Sequence, residues 1–309
     1  MNSIRIRHVD DKLIGRDVLI VAFFARQPYP ELVPQVAETL ELFRSIVPPD
    51  SLEWARVGPN SSQYVPLSPA VLKRGRAELD IAKLSGRDIG SLRLRGGDDP
   101  HNAAYGFTFL GGQPYHRAPT LTSLVELRFP SEFLEQLGLE KFVDMVRRIG
   151  ETLPFRSGYA SPALSRGWEN EKHVQEAGRQ LVPIALRHPA YDLPENESTA
   201  AFMGETQCRG ARWLTLIGPQ IVSTLGGREQ LLPRLSPGVT TVSAGEGLMI
   251  RAGERPELGD VNRDETVPLL RSVAAALEPV TYFDDWKSLG TLFGDDHDRV
   301  RAWERRLLD

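Results

Sequence analysis

Leu124-Val125-Glu126-Leu127-Arg128-Phe129 alternates apolar and charged side chains with a period of two. A strand with that period turns one apolar side to a core and one polar side away from it. Parallel sheets covered on both sides read instead as unbroken apolar runs. The pattern therefore predicts antiparallel strands with helices packed on one face. Leu248-Met249-Ile250-Arg251-Ala252 supports this, because Gly245-Glu246-Gly247 joins it to residues 239–243 as a hairpin.

Outward from this stretch the chain alternates strands and helices. Pro130-Ser131 opens a helix carrying Phe133, Leu134, Leu137, Phe142, Met145, Val146 and Ile149 on one face. Residues 18–24 form a β-branched and aromatic run that reads as a buried strand. Residues 29–46 repeat apolar side chains at helical spacing until Pro48-Pro49. Further strands are expected at 52–57, 92–95, 104–110, 155–160 and 212–217. Further helices are expected at 69–84, 165–187, 218–225, 228–235, 267–277 and 298–308. Residues 189–203 look most like a loop. The fold class is α+β, with mainly antiparallel sheets, packed helices and repeated strand–helix–strand units. Two pseudo-related sheets packed together would accommodate them. The chain reads as a single domain over 1–309, with pseudo-related halves 1–188 and 189–309 as the alternative.

Composition narrows the function. The 309 residues carry 37 basic and 41 acidic side chains, a formal charge of −4. That balance argues against a general nucleic-acid binder. One cysteine, Cys208, excludes an internal disulfide framework and multi-cysteine metal sites. The apolar run 18–25 is too short to span a bilayer, and no targeting segment is visible, so the expected compartment is the cytoplasm.

A search for catalytic constellations yields little. The chain has no phosphate-binding loop, no His-Glu-x-x-His, no Gly-x-Ser-x-Gly and no Gly-x-Gly-x-x-Gly after a strand. Cys208 reads as a small apolar residue rather than a nucleophile. Asp285-Trp286-Lys287 and Asp10-Asp11-Lys12 offer an acid–x–lysine spacing, but such three-residue matches arise by chance in most chains of this length. No catalytic residue, metal or cofactor is expected.

The acidic residues are unevenly placed. From Ala190 onward there are 19 acids and 13 bases, against 22 and 24 before it. An acidic region suits a basic partner, since complementary fields speed association and suppress wrong pairings. Glu195 and Glu197 lie in the loop-like stretch, and Asp295, Asp296 and Asp298 precede the last helix. These five are the candidate partner-binding residues.

The C-terminal third carries a resemblance. Arg212-Trp213-Leu214-Thr215-Leu216-Ile217-Gly218 is followed by Leu225-Gly226-Gly227. Gly247-Leu248-Met249-Ile250-Arg251-Ala252-Gly253 runs into Pro256-Glu257-Leu258-Gly259-Asp260-Val261-Asn262. With Arg187-His188-Pro189-Ala190-Tyr191-Asp192 upstream and Trp303-Glu304-Arg305-Arg306 at the end, this order resembles the type VI secretion immunity protein family. His188-Pro189-Ala190 departs from the family's usual Tyr-Pro-Gly. The resemblance implies a cytoplasmic antitoxin without catalysis, which binds a secreted effector toxin encoded nearby. It also implies a nuclease of restriction-endonuclease-like type as the effector, with no direct contact to nucleic acid or membrane. The motif residues themselves read as scaffold: Trp213, Leu214 and Leu216 suit a strand core, and Gly226-Gly227 suits a helix end. The alternative is a bacterial enzyme acting on nucleic acid or a small molecule.

Overall fold

The computed structural model describes residues 3–25, 27, 29–58, 61, 63–85, 89–112, 120–167, 171–284 and 289–309. Its strands are β1 (Arg5–Arg7), β2 (Leu13–Ala25), β3 (Trp54–Val57), β4 (Val65–Pro66), β5 (Ile89–Arg95), β6 (Gly106–Gly112), β7 (Leu124–Pro130), β8 (Phe155–Arg166), β9 (Leu214–Ile217), β10 (Val239–Ala244) and β11 (Gly247–Ala252). They form one sheet in the order β10-β11-β9-β8-β2-β7-β6-β5-β3-β4, with β1 also on β2. All its ladders are antiparallel. The class is therefore α+β, as the alternation predicts.

Two packed sheets were the expected arrangement, and one continuous sheet replaces them. The join is the ladder from β8 to β9, where Ser157 faces Ile217 and Ala160 faces Leu214. That ladder crosses the division at residues 188 and 189.

The sheet is centred on β2. Leu19, Val21, Phe23 and Ala25 enter the core on one side, and Val18, Ile20, Ala22 and Phe24 enter a second cluster on the other. A strand buried on both faces needs an unbroken apolar run, which residues 18–25 supply. Helices consequently cover both faces, not one. On the first lie α1 (Tyr29–Ile46), α2 (Pro69–Ser85), α3 (Phe133–Leu137) and α4 (Leu139–Thr152). Leu32, Val36, Leu40 and Phe43 of α1 and Phe142, Val146 and Ile149 of α4 are buried there. On the second lie α5 (Glu171–Arg187), α6 (Asn196–Phe202), α7 (Pro219–Thr224), α8 (Arg228–Leu231), α9 (Pro268–Leu277) and α10 (His297–Arg305).

Three differences from the sequence reading bear on the site. The helix expected after Pro130 is two helices, because Gly138 adopts φ +91° between α3 and α4. A side chain there would be strained, and glycine makes the turn cheaply. Ser165 and Arg166 finish β8, and α5 begins only at Glu171. Residues 189–203 are not an open loop. They carry α6 and lay Tyr191, Asp192, Leu193, Glu195, Asn196 and Thr199 against the sheet, all buried.

Candidate functional site

The charged side of β7 faces protein, not solvent. Glu126 is buried, accepts from Nε of Arg128 at 2.7 Å, and accepts from Nδ2 of Asn196 in α6 at 2.9 Å. Arg128 donates onward to Ser165 at 2.7 Å. Two strands along the sheet, on β5, Arg93 grips both carboxylate oxygens of Glu197 at 2.9 Å each. Arg95 donates to Thr108 and to the Phe107 carbonyl. The period-two pattern thus seats a row of buried charges beneath α6.

The row continues across β8. Tyr159 donates to Oδ2 of Asp192 at 2.7 Å, and Arg212 donates to Oδ1 at 2.6 Å. Burial alone would raise the Asp192 carboxyl, but Arg212 and Arg209 hold it below its ordinary value. Arg209 in turn forms a buried pair with Glu304 at 2.8 Å. Arg306 donates to the carbonyls of Pro189, Trp303 and Tyr191, and stacks 3.7 Å above the Trp303 ring. The cavity lined by Arg209, Arg212, Glu304 and Arg306 measures about 20 Å³. That is room for about one water molecule, far below a substrate. The network fixes residues 189–203 to the sheet, while Nε and Nη2 of Arg209 and Nε of Arg212 stay buried without a hydrogen-bond partner.

The five acids take different places. Glu195, expected on the surface, is buried, because its segment packs as a layer on the sheet. Its Oε1 accepts from Arg166 at 2.5 Å. Burial pushes its carboxyl up to about 7, against the pull of Arg166. Glu197 lies in the first turn of α6, with its side chain 56% exposed despite the Arg93 pair. Asp295, Asp296 and Asp298 are exposed around the start of α10. Asp296 caps that helix by accepting from the Arg299 N–H at 3.0 Å. Asp298 sits in its first turn, where negative charge suits the helix dipole. Glu195 and Glu197 share the entry to α6, while the three aspartates share the entry to α10.

Glu195 gives a pH prediction. Its carboxyl is raised from an ordinary 4.5 to about 7 by folding, so the native state holds the proton more tightly. The cost of ionising it is absent below about 4.5 and fully present above about 7. The stability of the wild type relative to Glu195→Gln should fall across that interval by up to a few kcal/mol. Denaturant midpoints at several pH values read the slope, and a flat difference would show that Glu195 stays ionised throughout. Only the slope reports on Glu195, since the amide leaves Arg166 without a counter-charge at every pH and adds a constant offset.

The candidates for enzymatic chemistry fare as follows. Cys208 is buried, and burial pushes its thiol up to about 11, which disfavours the thiolate. Asp10-Asp11-Lys12 forms the exposed turn between β1 and β2, with Asp11 at φ +66°. Asp285-Trp286-Lys287 lies outside the described residues. No helix among the described residues is long and apolar enough to cross a membrane.

The buried charge network and the exposed acids at the two helix entries stand on one chain with a recognisable family pattern. Residues 35–307 match the TsiV family, described as type VI immunity for VRR-NUC, and the chain belongs to that family. Among solved structures it is similar to the Pseudomonas aeruginosa T6SS protein PA0821, with 19% identity and a TM-score of 0.78 over 99% of this chain and 87% of that one. At that identity the likeness concerns the fold. No curated protein matches the chain.

Proposed function

We propose that this chain binds a VRR-NUC nuclease effector of a type VI secretion system one-to-one, and neutralises it in the cytoplasm without catalysis of its own. The observation that carries the reading is the family match over residues 35–307. The pairing of the buried Glu126, Asp192 and Glu304 with Arg128, Arg212 and Arg209 supports it, since these acids serve the scaffold.

A nuclease must offer positive charge to phosphates. The acids that remain exposed suit such a surface: Glu197, Asp295, Asp296 and Asp298. We place the effector contact there. Glu195 belongs to the same proposal only indirectly, by holding the entry to α6 through Arg166.

Amide replacements test this without unfolding the protein. Asn caps a helix about as well as Asp and tolerates the left-handed φ of +58° at Asp295. The variant Asp295→Asn, Asp296→Asn, Asp298→Asn should therefore fold, whereas Glu197→Gln would leave the buried Arg93 without its counter-charge. Removing rim charges slows association and weakens its salt dependence. Association rates with the effector at low and high salt are expected to fall about tenfold or more at low salt and to converge at high salt. Unchanged rates with an unchanged salt slope would place the contact on another surface.

A further inference from the structure

We propose that His8, Asp10 and His173 form a binding site for a divalent transition-metal ion of the zinc class, joining the turn between β1 and β2 to α5. One donor atom from each residue lies within 4.8 Å of the others. Asp10 Oδ1 is 2.9 Å from His8 Nδ1. The His8 and His173 rings stand 4.9 Å apart at 54°. Zinc bonds of about 2.0–2.1 Å set tetrahedral donor–donor edges of roughly 3.3 Å, so small side-chain rotations close the set.

The backbone prepares this arrangement. His8 N–H donates to the Lys12 carbonyl at 2.8 Å, and Asp11 N–H donates back to His8 at 2.9 Å. Lys12 N–H donates to Asp10 Oδ1 at 3.2 Å, which aims that carboxylate across the turn. His173 and Glu176 are three apart on α5, hence on one helix face. Glu176 Oε2 lies 3.1 Å from His8 Nε2. A carboxylate there accepts the Nε2–H, and this tautomer leaves the Nδ1 lone pair for a metal. Two imidazoles and one carboxylate favour zinc, cobalt or nickel over calcium or magnesium, which demand oxygen. The Asp10 side chain is 58% exposed, so an ion can enter and solvent can complete its shell. The competing arrangement is a protonated His8 held between Asp10 and Glu176, with no affinity for metal.

The test uses the full chain without an affinity tag, stripped by a chelator. Zn²⁺ is titrated calorimetrically, and Co²⁺ by its visible absorption. One equivalent is expected to bind saturably, with bands of a nitrogen- and oxygen-ligated ion. His173→Ala should weaken binding at least 100-fold, and the exposed Asp10→Asn should weaken it too without perturbing the fold. Glu176→Gln should cost about 10–100-fold through the tautomer. The double variant His101→Ala, His297→Ala should bind like the wild type. No saturable binding by the wild type, or undiminished binding by both His173→Ala and Asp10→Asn, would overturn the site.

Discussion

Asp192→Ala is expected to destabilise the protein by about 3–5 kcal/mol, the range for breaking a buried ion pair from one side. Asp192 is fully buried, and its two oxygens accept from Arg212 and Tyr159 at 2.6 and 2.7 Å. Alanine removes both acceptors and leaves the Arg212 guanidinium buried without its carboxylate. The aromatic face of Tyr159, 5.6 Å from that guanidinium, compensates only weakly. Asp192→Asn keeps the shape but loses the charge, so it should fall between alanine and wild type. Asp298→Ala, on the surface, should stay within about 0.5 kcal/mol. Urea unfolding with an unchanged slope checks this ordering. A cost below about 1 kcal/mol for Asp192→Ala would mean that water reaches the network.

The same residues explain what the sequence made legible. Trp213 reads as a strand-core residue of the signature motif, and it is buried against Phe142 at 6.0 Å between ring centres. Gly226 and Gly227 read as a helix end and adopt φ of +87° and +82°. The boundaries of α1 follow from apolar spacing and the proline pair that stops it. Local chemistry fixes each of these, so a single stretch suffices to find them.

What depended on distant partners was misread. Glu126 and Arg128 mark a polar strand face, but alternation alone does not say whether water or α6 lies beyond it. Arg93 and Arg95 carried the clearest available signal, an Arg-x-Arg on a strand, matched by the acids of residues 192–197. Pairing them requires the topology, since Arg93 and Glu197 lie 104 positions apart. Residues 189–203 looked like a loop because their polar side chains serve the sheet rather than solvent. The seam of His8, Asp10 and His173 escaped for the same reason: a turn and a helix over 160 positions away meet only in the fold.

The central claim is stoichiometric neutralisation of a nuclease. The direct measurement is DNA cleavage by the proposed cognate VRR-NUC effector, titrated with the purified protein. Nuclease activity is expected to fall linearly and to vanish near one equivalent, while the protein alone cleaves nothing with Mg²⁺ or Mn²⁺ present. Full inhibition far below one equivalent would reveal turnover and contradict the non-catalytic account. Undiminished cleavage in the presence of excess protein would contradict neutralisation itself.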